Sequence, residues 1–412
     1  KKKNLLQLRY SFDATSMQFY TILQSDTRVK YLNLLQSAFV FKGGMAMTTL
    51  NIRIRALEHN IEIIKSLAAD AQIIAVLKGN AYGLGLCKFA TFLQARGIRH
   101  FAVTELADAI ELREKGIFGE ILLLTPLYHP EDITRAIKHD ITLSITSVSC
   151  GQILEDTAAR LNHFCAHAHL CIDTGFGRYG FLCSKTSQIG DIINTVHAMT
   201  HVQVTGIYSH FYAACCKNER FVKKQFEDFN NLCTTLTDAG IPLGIRHISS
   251  SSSLVRFPYM NLDAVRIGSA FLGRLAVSNS CGFENVCDLT ASVDDVYELP
   301  AGHNIGYGKT CRLTKASTTA VVSAGYFHGL GMTRETAPKH PSPLRLLRLC
   351  KHACFQKKQT AEFEGQTLPV LGQISMNSCI LDVSKAPVSI GDSVTFRINP
   401  LFVNSAVPRV YC

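Results

Sequence analysis

Residues 73–85 read Ile-Ile-Ala-Val-Leu-Lys-Gly-Asn-Ala-Tyr-Gly-Leu-Gly. Five apolar residues in a row form a short buried strand, Lys78 ends it, and Gly83 and Gly85 close a turn behind it. On the N-terminal side, Thr49–Ala69 carries a helical pattern. Downstream the same alternation repeats. Strand-like His100–Thr104, Glu120–Thr125, Ile141–Thr146, His167–Asp173, Val204–His210, Gly244–Ile248 and Ala264–Ile267 follow. Helical Glu105–Lys115, Glu131–Lys138, Val148–Leu161, Thr186–Met199 and Glu219–Asp238 separate them. Strand–helix alternation implies a parallel sheet, and eight repeats in about 230 residues suit a closed (β/α)8 barrel. A doubly wound open sheet would need about six strands and usually a G-x-G-x-x-G turn, which is absent.

After Gly273 the texture changes. Thr318–Ala324, Thr367–Leu371, Cys379–Val383 and Ser393–Ile398 are short and β-rich, with glycine and proline between them. The sequence therefore predicts three parts: a non-core leader over 1–44, a barrel over 45–281, and a mostly β domain over 282–412. The basic stretch 333–360 reads as a surface insertion in that last domain.

Composition agrees with this reading. The chain has 412 residues, 47% hydrophobic and 18% charged, enough for two or three domains with a sizeable core. Disordered and fibrous proteins are excluded, and no apolar stretch approaches the roughly 20 residues of a membrane-spanning helix. Tyr31–Phe41 faintly resembles the apolar stretch of a secretion signal, but no small-residue cleavage site follows. The net charge of +10 is local: residues 1–44 hold +5 and residues 333–360 hold +6, leaving about −1 elsewhere. Two patches outside the periodic segments do not make a nucleic-acid groove, so neither nucleic acid nor membrane is expected as a partner. The 15 cysteines contain no C-x-x-C pair. That spacing suits neither a disulfide framework nor a metal site, and it fits thiols in a reducing cytoplasm.

In a (β/α)8 barrel the chemistry sits at the C-terminal ends of the strands. Here those positions give Lys78, the run Asp173–Arg178, His210, Ser249–Ser253 and Arg266. A lysine that ends a buried strand is costly unless something neutralises or binds it, and a desolvated amine loses its proton readily. For Arg266 the alternative is a structural ion pair with Asp263 or another acid.

AVLKGNAYGLG resembles the pyridoxal-phosphate attachment motif of the alanine racemases, with Lys78 at the lysine. The likeness continues in order through CIDTGFGRYG, GIYSHF, HISSSSSLVRFP, VRIGSAFLGR, IGYGKTC, AGYFHG and GQISMN, from about Leu50 to Ile398. The resemblance implies a barrel followed by a β domain, and pyridoxal 5'-phosphate bonded to Lys78. Tyr82, Ser251 and the backbone at Gly268 and Ser269 would hold the phosphate; His210 would pack on the ring. Arg266, hydrogen-bonded to His247, would face the pyridine nitrogen. An arginine there cannot give up its proton, which leaves that nitrogen unprotonated and the cofactor a weaker electron sink. That suits brief proton exchange at Cα, whereas decarboxylases of the same fold place an acid at this position. Lys78 and Tyr307 would be the two bases, Tyr307 coming from a partner subunit, so a homodimer is expected. Arg178 and the backbone at Met376 would hold the substrate carboxylate.

Several positions depart from the family pattern. The lysine that commonly supports the carboxylate-binding arginine falls at Cys171, and two family aspartates fall at Asn377 and His328. The end of the chain is contracted, and a phosphate- and passage-lining tyrosine falls at Ser405. An Asp and two Arg that narrow the passage fall at Cys215, Met332 and Gln373, all uncharged. The expected activity is interconversion of L- and D-alanine for cell-wall peptidoglycan in the cytoplasm. The alternatives are a racemase of wider range that includes serine, a decarboxylase of the same fold, and a non-catalytic cofactor-binding protein.

Overall fold

The computed structural model describes residues 48–161, 165–333 and 359–412. The expected leader 1–44 and most of the basic stretch 333–360 lie outside the described residues. All eight expected barrel strands form: β2 (Gln72–Val76), β3 (His100–Val103), β4 (Glu120–Leu123), β5 (Leu143–Ile145), β6 (Ala166–Asp173), β8 (Val202–Tyr208), β9 (Ile245–Ser250) and β10 (Ala264–Ile267). They pair in the order β4-β3-β2-β10-β9-β8-β6-β5, all parallel, with the two-residue β7 (Phe181–Leu182) beside β6. A parallel bridge between Leu122 and Thr142 joins the two ends, so the ring closes.

Helices cover the outside of this ring, among them α1 (Ile54–Ala68), α2 (Leu86–Gln94), α3 (Leu106–Glu114), α4 (Pro130–Lys138), α5 (Val148–Arg160), α6 (Thr186–His197) and α7 (Arg220–Asp238). Local chemistry sets their ends. α4 has Pro130 in its first turn with Glu131 and Asp132, and Arg135 and Lys138 in its last, which matches the helix dipole. Ser147 caps α5 by accepting from the Cys150 N–H at 3.2 Å. The apolar shell between strands and helices holds most of the core, including Phe89, Phe101, Phe229 and Phe271.

One segment differs from the sequence reading. Thr49–Ala69 is not one helix: Thr49–Ile52 is strand β1, and the helix starts at Ile54. Leu50 and Ile52 point inward and are fully buried while Thr49 and Asn51 are half-buried, a period of two that overrides the helical one. β1 joins the C-terminal sheet, antiparallel to β11 (Cys287–Leu299) and parallel to β19 (Arg409–Tyr411). The chain thus enters the β layer before it enters the barrel.

After β11 the short strands β12 (Asn304–Ile305) and β13 (Cys311–Arg312) pair as a separate ribbon, and the main β layer curls. β11 pairs over its first half with β18 (Ser393–Arg397) and over its second half with β14 (Ser317–Val322), with an irregularity between Val293 and Asp295. β14 continues through β17 (Cys379–Asp382), β16 (Gln366–Leu371) and β15 (Thr360–Phe363) back to β18. Six strands therefore close on themselves around Leu289, Val293, Leu381 and Phe396.

Candidate active site

A cleft of about 220 Å3 opens at the C-terminal ends of β2, β6, β8, β9 and β10. Eight of the residues expected from sequence line it: Lys78, Tyr82, Arg178, His210, Ser251, Arg266, Gly268 and Ser269. His247 lies behind the lining, fully buried.

Lys78 leaves β2 at the start of an unusual turn. Gly79, Asn80, Ala81 and Tyr82 all have left-handed backbone angles, with φ of 63°, 54°, 53° and 54°. For residues with a Cβ this conformation costs about 1–2 kcal/mol each. The turn is held from outside: Asn80 Oδ1 accepts from the Leu86 N–H at 2.8 Å, and the carbonyls of Gly83 and Leu84 accept from Arg409 Nε (3.1 Å) and Tyr411 Oη (3.0 Å). A Cβ at Gly83 would stand 1.9 Å from the Pro400 carbonyl oxygen, so only glycine fits there. The Lys78 amine reaches solvent through the open mouth of the cleft. Burial first, then Arg178 and Arg266, hold its pKa below the ordinary lysine value.

Arg266 is buried, with no ion-pair partner among the described residues. Nη1 donates to His247 Nδ1 (2.6 Å) and to the His247 carbonyl (3.0 Å), and Nη2 donates to the Ser209 carbonyl and to His210 Nδ1 (3.2 Å). The alternative partner Asp263 is engaged elsewhere, accepting from Arg246 Nε at 2.9 Å. Burial lowers the Arg266 pKa to about 10, still a cation at neutral pH. Burial, then Arg266, Arg178 and Lys78, take His210 down to about 3, so its ring is neutral. His247 is likewise held well below the usual histidine range, by burial and then Arg266.

Opposite the arginine, Ser251 opens the short helix α8 (Ser251–Arg256), and its hydroxyl accepts from the backbone N–H groups of Gly268 (3.3 Å) and Ala270 (3.2 Å). A Cβ on Gly268 would meet the Tyr82 hydroxyl at 2.4 Å, so the phenol lies directly against that backbone. Burial pushes the Tyr82 phenol up to about 12, which keeps it a hydrogen-bond donor.

Arg178 has no ion-pair partner among the described residues and lies over the Phe176 ring, 4.5 Å from its centroid. Asp173 does not neutralise it: the Asp173 carboxylate takes three backbone N–H groups, from Gly175 (2.7 Å), Phe176 (2.8 Å) and Gly177 (2.9 Å). Cys171, where the family commonly has its supporting lysine, is buried in the lining with its thiol pushed up to about 11 by burial, so it supplies no charge.

Sequence reasoning missed His169 and Tyr208, both inside the ring. The Tyr208 ring stacks on His247 at 5.2 Å, and His169 Nδ1 lies 3.0 Å from His247 Nε2. The alternation His167, His169, Cys171, Asp173 along β6 was the available signal, since every second residue faces one side.

Besides His247, two expected residues do not line the cleft. Tyr307 and Met376 belong to the β domain and are exposed, at 70% and 54%. The Met376 loop is fixed by the turn beside it, whose Phe327 N–H donates to the Met376 carbonyl at 2.9 Å. His328, at a family aspartate position, caps that turn by accepting from the Gly325 N–H at 3.1 Å. Asn377 is exposed.

Fold and site together define an enzyme class: a lysine-ended (β/α)8 barrel with a cationic cleft, followed by a closed β domain. Models for the alanine racemase N-terminal domain and C-terminal domain match residues 52–275 and 286–400. The chain belongs to the alanine racemase family, a family of pyridoxal-phosphate-dependent isomerases. It is 31% identical over 358 residues to alanine racemase 1 of Caldanaerobacter subterraneus subsp. tengcongensis, covering 85% of each chain. It is 30% identical to an amino-acid racemase of Enterococcus faecalis, over 82% of this chain and 45% of that protein. A solved alanine racemase of Clostridium difficile 630 superposes with a TM-score of 0.79 at 25% identity, covering 90% of this chain and 97% of the other.

Proposed function

We propose that this chain racemises alanine with pyridoxal 5'-phosphate by a two-base mechanism. The observation that carries the reading is the cleft itself: Lys78, Arg178 and Arg266 face one space, and none of them has an ion-pair partner among the described residues. Such a site accepts an anion. The donor set fits this cofactor, with an amine for an aldehyde, Tyr82, Ser251 and the backbone of Gly268 and Ser269 for a phosphate, and Arg266 for a ring nitrogen. When bound, the cofactor withdraws electrons from the substrate Cα and makes its proton acidic.

Each residue then has a task. Arg266 keeps its proton, and its Nε–H, the one guanidinium N–H not already given to His247, Ser209 or His210, would face the pyridine nitrogen. The neutral His210 ring packs against the cofactor without adding charge. Lys78 Nζ, its pKa lowered, takes or returns the Cα proton on one face. Tyr307 of the partner subunit serves the opposite face, and the Met376 backbone with Arg178 holds the carboxylate. The exposure of Tyr307 and Met376 supports a homodimer in which each barrel is completed by the other copy's β domain. All described cysteines are free, which supports a reducing cytoplasm, where D-alanine would supply peptidoglycan. No helix among the described residues is long and apolar enough to cross a membrane.

A second reading, a wider substrate range, is favoured by the uncharged residues Cys215, Met332, Gln373 and Ser405, all exposed. The deciding experiment is formation of D-alanine from L-alanine by protein reconstituted with pyridoxal phosphate, alongside a visible absorbance band that borohydride removes. Absence of both would refute the reading.

A further inference from the structure

Among the described residues Arg178 pairs with no carboxylate, and what lies against its guanidinium is aromatic. Its central carbon stands 4.5 Å from the centre of the Phe176 ring and 5.9 Å from that of the Tyr179 ring. The face of such a ring carries partial negative charge and attracts a guanidinium within about 6 Å. The cation stays close to the cleft, where it helps lower the pKa values of Lys78 and His210.

Both rings stand on a fixed backbone. The Phe176 N–H donates to the buried Asp173 carboxylate at 2.8 Å, and the Cys171 thiol donates to the Tyr179 carbonyl at 3.5 Å. A Cβ on Gly180 would stand 2.7 Å from the Asp173 nitrogen, so glycine lets the segment return this close to β6. The Phe176 ring also meets the His210 ring, with 5.3 Å between centroids, and so contacts two cleft residues at once. An anionic neighbour would orient Arg178 but also neutralise it. A ring face orients the planar guanidinium by stacking and leaves its full charge for an incoming anion.

We infer that Phe176, flanked by Tyr179, is a positioning residue: its ring face seats the Arg178 guanidinium for the substrate carboxylate, where the family commonly relies on the lysine that Cys171 replaces. The inference rests on the racemase reading, and its test separates the two. The protein loaded with pyridoxal phosphate is prepared with phenylalanine or its mono-, di- or trifluoro form at position 176, since fluorine drains the ring face with little change in size. KM for L-alanine, and the dissociation constant of acetate read by NMR titration, should both rise stepwise with fluorination, by about 5-fold in all. kcat should barely move, because the arginine grips the carboxylate alike before and during proton transfer. Phe176→Leu should match the trifluoro form, and Tyr179→Leu should do less, its ring being farther away. Phe176→Tyr keeps the ring and should stay near native; set against Phe176→Leu, it serves if the fluorinated proteins do not fold. A flat fluorine series, or an acetate affinity that Phe176→Leu leaves unchanged, would overturn the proposal. Acetate binding reads the arginine's seat even if no racemisation is found.

Discussion

The two halves of this molecule treat their site residues in opposite ways. In the barrel, Lys78, Tyr82, His210, Ser251 and Arg266 come from strands far apart in sequence and converge on one cleft, supported by buried neighbours such as His247. In the β domain, Tyr307 and Met376 sit on fixed turns but face outward. A closed ring of parallel strands focuses its strand ends on one point, whereas a closed antiparallel barrel displays its loops around a rim. The lesson is that the barrel gathers its candidate site residues within one chain, whereas on the proposed reading the β domain would offer its share to another copy.

The comparison is broken most severely at Lys78. Lys78→Ala should remove the visible absorbance band and lower racemisation by about 10⁴-fold or more, since it removes both the cofactor's amine and a base. A variant that keeps the band and turns over would undo the barrel's half of the comparison. Tyr307→Phe should cost roughly 10²–10⁴-fold, and unequally for the two alanine enantiomers, read as solvent-deuterium exchange at Cα. Mixing Lys78→Ala with Tyr307→Phe should restore part of the activity by pairing an intact barrel with an intact β domain. No recovery despite subunit exchange would mean that the β domain serves its own chain.

Two smaller effects sharpen the contrast. The neutral state of His210 is built into the barrel, with a pKa near 3 against 6.5 for the unfolded chain. Below 6.5 the unfolded chain binds a proton that the native state refuses, so stability is full above that value and falls as pH drops toward 3. The loss should approach about 2 kcal/mol by about pH 5, seen as a lower urea midpoint. His210→Asn should flatten that slope, and an unaltered slope would mean that the native ring titrates freely. Least of all, Ser405→Tyr should lower kcat/KM for L-serine relative to L-alanine by a few-fold, within the ~1–3 kcal/mol that one small group is worth. A ratio already very low in the native protein and unmoved by the substitution would remove the wider-range reading.

The barrel was legible because its signals are local: each strand is a short apolar run, and each site residue follows one directly. The misread segment shows the limit. In Thr49–Leu57 the apolar residues Leu50, Ile52, Ile54 and Leu57 fit a period of two at first and a helical one later. What decides is pairing with Cys287–Thr290 and Arg409–Tyr411, hundreds of residues away. The cleft residues were legible through motif and strand-end position. His169 and Tyr208 were not, because their meaning arises only when β6, β8 and β9 stand side by side. The rejected pairing of Arg266 with Asp263 makes the same point, since sequence proximity suggested a partner that Arg246 holds instead.

The left-handed turn after Lys78 carries a consequence for the order of events in folding. A chain of L-residues does not dwell in that mirror-image conformation, so residues 79–82 wait for contacts that outweigh its cost. Those contacts come from Pro400, Arg409 and Tyr411, over 300 residues downstream. Such distant closure is slow compared with assembly of neighbouring strands and helices. The barrel ring can therefore form first, with the lysine's surroundings locked only when residues 400–411 dock. Pulse-labelled hydrogen exchange during refolding should show the Ala81 and Gly83 amides protected after those of β2 and β3. Simultaneous protection would mean that the turn forms with the ring. On this account the segment 400–411 is a latch, and a nascent chain that has not yet reached it would hold its lysine on an unset turn.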